Sequence, residues 1–120
     1  MIQGTVSDDG VPIITLPIDN QNWRAIIDTG FNGDLELPEF LRHSLNARYV
    51  GRVTSALAGG QTIEESVYLV DFPFDGKVIQ AEATFVANHE ILIGTHLLRE
   101  YRLLVNFVHK IVELERGSTS

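Results

Sequence analysis

The chain has no cysteine among its 120 residues, which excludes disulfides, thiolate metal sites and a cysteine nucleophile. Positive charge is also short. Nine Lys and Arg face sixteen Asp and Glu, a formal net charge of −7 with a sequence pI near 4.9. An acidic surface repels phosphate backbones, so no nucleic acid is expected as a partner. No apolar run approaches the roughly 20 residues that span a bilayer, so no membrane association is expected. The opening Met1-Ile2-Gln3-Gly4 is too polar for a signal peptide, and the chain reads as a soluble, cytoplasmic protein. The four histidines, at 43, 89, 96 and 109, show no ligand spacing, so neither a metal nor any other cofactor is expected. There is no Gly-rich phosphate loop, and Ser44, Ser55 and Ser66 lack the setting of a nucleophile elbow.

What is present is enough apolar residue to build one core. Hydrophobic residues make up 44% and the mean hydropathy is +0.06, which suits a single domain over 1–120. Strand signals recur at short intervals between turns, the pattern of an all-β fold. Strands are read at Ile2 to Val6, Val11 to Ile18, Trp23 to Ile27 and Leu35 to Leu37. Pro12 and Pro17 mark the second of these as an edge strand or one that ends early. Tyr49 to Leu57 and Thr62 to Phe72 form a long hairpin around Ala58-Gly59-Gly60-Gln61. Val78 to Ala87, Leu103 to Phe107 and Lys110 to Leu114 complete the strands. Two short helices are read, from Pro38 to about Leu45 with Phe40 and Leu41 facing inward, and from Gly94 to Tyr101, where Leu97, Leu98 and Tyr101 fall at helical spacing. Arg116 to Ser120 reads as a flexible polar tail.

One segment carries chemistry. Ala25-Ile26-Ile27-Asp28-Thr29-Gly30 is an apolar strand that delivers one aspartate into a tight turn. Hydrolysis of a peptide bond without metal or side-chain nucleophile needs an activated water and a proton donor. Two carboxylates in contact supply both, because like charges that close cannot both ionise and the pair keeps one proton. Asp8-Asp9-Gly10 and Asp75-Gly76 lack a preceding apolar run and read as plain turns, so no second catalytic aspartate exists in the chain. Two copies are therefore expected to build one site from two Asp28 side chains. Gly30 lets the backbone approach the carboxylate and donate to it, and the Thr29 hydroxyl is placed to bond across a two-fold axis.

Further on, Ile91-Leu92-Ile93-Gly94 repeats the apolar-apolar-glycine theme. The ordered set of Ile26-Ile27-Asp28-Thr29-Gly30, the glycine-rich hairpin at Ala58-Gly59-Gly60, and Leu92-Ile93-Gly94 resembles the retropepsin-like aspartic proteases, single-domain bacterial relatives of the retroviral enzymes. The resemblance implies a closed β-barrel of the acid-protease type with one or two short helices, dimerised about a two-fold axis. It implies Asp28 as the catalytic residue, Thr29 and Gly30 as supports of its loop, and Leu57, Ala58, Gly59, Gly60 and Gln61 as a flap over a peptide or protein substrate. Phe31, Asn32, Ile63, Ile93 and Gly94 are the expected pocket residues. The chain departs from the family at Phe31 and Asn32, where a small residue and then an acid are usual, and at Thr95, where an arginine is usual. Asn32 and Thr95 together leave no unpaired buried charge. The competing reading is a non-catalytic dimer of the same fold, serving as a peptide-binding or oligomerisation module.

Overall fold

Alternating apolar residues and left-handed turns account for most of the architecture. The computed structural model describes residues 1–117. Its strands are β1 (Ile2–Val6), β2 (Pro12–Ile18), β3 (Gln21–Ile27), β4 (Leu35–Pro38), β5 (Arg48–Ala56), β6 (Thr62–Phe74), β7 (Lys77–Val86), β8 (Ile91–Ile93), β9 (Tyr101–Asn106) and β10 (Ile111–Arg116). The β2–β3 connection carries positive φ at Asp19 and Asn20, and the β6–β7 connection at Asp75 and Gly76. Two successive left-handed residues give a turn whose twist matches that of paired strands.

The strands form one sheet in the order β5-β6-β7-β4-β8-β3-β2-β1-β10-β9. It folds over so that β2 packs against β6, burying Ile14, Leu16 and Ile18 of β2 and Val70, Phe72 and Phe74 of β6 in one core with Ile91 and Ile93 of β8 and Val112 and Leu114 of β10. The Phe72 and Phe74 rings stack at 6.2 Å, and Phe74 meets Tyr101 edge-on at 5.4 Å. Tyr101 Oη donates to Asp75 Oδ2 at 2.9 Å, joining the start of β9 to the β6–β7 turn. Burial is the main cause that raises the Tyr101 phenol above its ordinary value, with the Asp75 bond adding to it.

The expected closed barrel is not formed. Among the described residues the sheet has two free edges, β5 and β9. Closure would require these two to pair, and β5 runs out with β6 as a hairpin in which residues 62–67 of β6 have no ladder partner but β5 among the described residues. The expected helices are absent as well. Residues 39–41 make a single 3-10 turn, and Phe40 is 71% exposed while Leu41 is buried. In 94–101 the amides of Leu98, Arg99 and Tyr101 bond back to Thr95, His96 and Leu98. That is a three-residue span, which stacks turns and does not propagate an α-helix. Strand β2 is also an interior strand. β1 covers only Ile13 and Pro12, so Pro17, paired with Asn22 of β3, lies where the other flank needs no amide donor. Of the expected tail, Arg116 belongs to β10 and pairs with Glu100 at 2.9 Å, and residues 118–120 lie outside the described residues.

Phe72 is fully buried, so Phe72→Ala is expected to remove about 3–5 kcal/mol of stability. Phe40→Ala should change it by less than about 0.5 kcal/mol. Urea denaturation of the two variants measures both, and a large loss in the Phe40 variant would contradict the exposed position.

Candidate active site

The site is organised by the shortest strand. β8 has three residues, yet it is paired along both edges: parallel to β3 through Ala25, Ile26 and Ile27, and antiparallel to β4 through Leu35 and Glu36. The loop of residues 28–34 therefore leaves β3, passes over the end of β8 and returns as β4. The Asp28 amide donates to the Ile93 carbonyl at 2.9 Å, one step beyond the last β3–β8 pair. The Asp28 carboxylate then accepts the Gly30 amide at 2.9 Å, and the Phe31 amide donates to the Asp28 carbonyl at 3.1 Å. A side chain at Gly30 would stand 3.3 Å from Asp28 Oδ1, so glycine keeps this approach open.

The far side of the loop is fastened to the turn after β8. Phe31 offers its carbonyl to the Thr95 amide at 2.8 Å and to Thr95 Oγ1 at 3.3 Å. Gly94 donates to the Asp34 carbonyl at 2.9 Å, and His96 donates to the Gly33 carbonyl at 3.1 Å. A Cβ on Gly94 would run into the Gly33 backbone, and it would lie 2.8 Å from the Phe31 ring. One on Gly33 would lie 2.8 Å from that ring as well. The aromatic side chain thus occupies a slot that only these two glycines leave free.

Beside the loop is a groove of about 200 Å³. Phe31, Leu35, Val53, Val67 and Ala83 are its apolar lining residues, and Asp34, Glu36, Glu65 and Glu82 its acidic ones. Glu36, on β4, is held above the ordinary glutamate range, first by burial and then by the neighbouring charges of Glu65 and Asp28. Across the sheet the opposite shift occurs: Arg48 and Asn46 bond to Asp71 and hold its carboxyl below the usual range.

Among the expected site residues, the structure brings Asp28, Gly30, Phe31 and Gly94 into one bonded unit, with Thr29 and Asn32 exposed on its surface. Ile93 is fully buried; it supports the loop from beneath and does not line a pocket in the single chain, and buried Gly94 acts in the same way. Leu57, Ala58, Gly59, Gly60 and Gln61 form the exposed tip of the β5–β6 hairpin, closed by a bond from the Leu57 amide to the Gln61 carbonyl at 2.7 Å. Ile63 lies on the exposed part of that hairpin. The hairpin residues that reach the groove are Val53, Ser55, Glu65 and Val67. Sequence reasoning missed Asp34 and His96. Looking for an acid and a base at Asn32 and Thr95, it found neutral residues, while the pair stands two positions and one position further on. His96 Nδ1 lies 2.5 Å from Asp34 Oδ1. Among the described residues, no three His, Asp or Glu side chains gather in a metal-ligating group.

No family model matches the sequence, and no curated protein matches it. The fold is nevertheless retropepsin-like, as solved structures show. A retropepsin-like aspartic protease from Rickettsia conorii is similar with a TM-score of 0.62 and 17% identity, over 92% of this chain and 88% of that one. The protease of simian foamy virus is similar with a TM-score of 0.57 and 18% identity, over 72% of this chain and 91% of that one. The EIAV protease, solved with the inhibitor HBY-793, has the same TM-score and identity over 79% of this chain and 91% of its own.

Glu36 binds its proton more tightly in the folded chain than in the unfolded one. Folding then takes up a proton just above the ordinary glutamate range, and stability falls as pH rises through the folded value. Glu36→Gln is expected to raise the urea midpoint at neutral pH and to leave it unchanged below about pH 3, where the glutamate is neutral in both the folded and the unfolded chain. An equal gain at both pH values would assign the effect to packing.

Proposed function

We propose that the chain is an aspartic endopeptidase that acts as a homodimer, with Asp28 of each copy forming the catalytic pair across a two-fold axis. The observation that carries this reading is the presentation of Asp28. It follows a strand end that buries Ala25 and Ile27, its amide is bonded to the Ile93 carbonyl, its carboxylate accepts the Gly30 amide, and its loop is tied to a second segment at Phe31, Gly33 and Asp34. A plain turn needs none of this second fastening, whereas a catalytic group must be held rigidly. The retropepsin-like fold supports the same reading. One such aspartate per chain makes the dimer a requirement of the chemistry, and symmetric pairs are the commonest oligomers.

In the working enzyme a water between the two carboxylates is deprotonated by the ionised one, while the protonated one donates to the scissile carbonyl. Thr29 bonds across the axis and Gly30 steadies the carboxylate. The tip Leu57 to Gln61, with Ile63 behind it, closes over an extended peptide whose backbone pairs with the hairpin edge. Phe31 and Asn32 border the bound side chains, with apolar ones preferred beside Phe31. Metal and cofactor have no part in this chemistry.

The test is turnover of a peptide library with pepstatin as inhibitor, alongside sedimentation across concentration. Asp28→Asn is nearly isosteric and cannot share the proton, so it should lower the rate by roughly 10²- to 10⁴-fold with fold and dimer retained. The parent should give a bell-shaped pH–rate profile, because activity needs the singly protonated pair. A parent that binds peptides and never cleaves them would favour the binding-module reading. Full activity in the Asp28→Asn variant would remove the aspartate from the mechanism.

A further inference from the structure

We propose that Asp34 and His96 are positioning residues for the loop that carries Asp28, a role that rests on the protease reading above. The Asp34 side chain is only 9% exposed, although it is a carboxylate. Each of its oxygens has a partner from a different part of the fold. Oδ1 meets His96 Nδ1, and Oδ2 accepts the Glu82 amide of β7 at 3.0 Å. The backbone repeats the connection, since the Asp34 carbonyl accepts the Gly94 amide and the Gly33 carbonyl accepts that of His96. Two residues thus join the loop, β7 and the turn after β8. Arg99 Nη1 donates to the His96 carbonyl at 2.8 Å and steadies that turn from its other side.

The donors and acceptors in this arrangement are matched. The Glu82 amide can only donate, and an ionised carboxylate can only accept, so His96 must present Nδ1 with its proton. An asparagine at 34 would keep one acceptor and turn an N–H₂ group toward one of the two donors. A bond to a carboxylate that is itself 9% exposed, though its His96 partner is 57% exposed, would be lost with little change in volume. The residues fastened here are the far half of a loop whose near end is Asp28. Slack at Gly33 and Asp34 therefore passes through the Phe31 contacts with Asp28 and Thr95 to the carboxylate. In a symmetric pair the displacement enters twice, once from each copy.

Four proteins test the proposal: the parent, Asp34→Asn, His96→Ala and His96→Asn. The asparagine amide at 96 can place a donor where the imidazole Nδ1–H stands, so it serves as the conservative rescue. Asp34→Asn and His96→Ala are expected to lower kcat roughly 10- to 100-fold, the scale of a misplacement of about 1 Å, with KM changed less than about threefold. His96→Asn should regain most of the loss. Amide exchange adds a readout that needs no turnover: Glu82 should exchange faster in Asp34→Asn, and Gly94 and the backbone amide at position 96 faster in His96→Ala, each corrected for its intrinsic rate and at unchanged global stability. Parental kcat in both disruptive variants would overturn the role, as would a His96→Asn enzyme as impaired as His96→Ala. If the parent cleaves no peptide, the protease reading fails, and unchanged exchange at Gly94 and at position 96 in His96→Ala would then separately overturn the fastening itself.

Discussion

Everything at the candidate site depends on β8 being paired along both edges. Three residues are too few for a strand to hold its place by one ladder. With β3 on one side and β4 on the other, Ile91–Ile93 becomes a fixed post around which the connecting loop must pass. Ile91 and Ile93 are fully buried, so hydrophobic burial anchors the post while backbone bonds orient it. The loop inherits that order. Its first residue bonds to the end of β8, and its last residues bond to the turn that follows.

Much of this was legible in the sequence because it depends on short-range pattern. The apolar run before Asp28, the turn at Asp75-Gly76 and the long hairpin all obey local rules, and each lies within a residue or two of its expected place. What was not legible depends on contacts between distant segments. The spacing of Leu97, Leu98 and Tyr101 fits a helix, but Gly94 and Thr95 are already bonded to the loop before β4, so the chain stacks tight turns. Phe40 was assigned to the core from a helical face that never forms. The closed barrel was inferred from resemblance, and closure turns on a pairing between the first and last strands of the sheet order that no local signal encodes.

The site residues divide in the same way. Asp28 and Gly30 announce themselves by sequence, because a turn after a short apolar run is a local event. Asp34 and His96 are 62 positions apart, and neither stands in a motif. Gly33 is a similar case. It looks like an ordinary loop glycine, yet together with Gly94 it leaves the space that Phe31 fills.

The β5–β6 hairpin divides the chain into parts of unequal durability. From Gly51 to Val67 the two strands pair only with each other, and Val53, Leu57 and Ile63 are exposed. A two-stranded ribbon in water is marginal by itself. The ribbon is therefore the unit that opens first, at a free energy well below that of the whole sheet. A protease acting on the lone chain would cut between Leu57 and Gln61 and leave the rest of the sheet intact. Anything that covered the ribbon would also shield it from being cut.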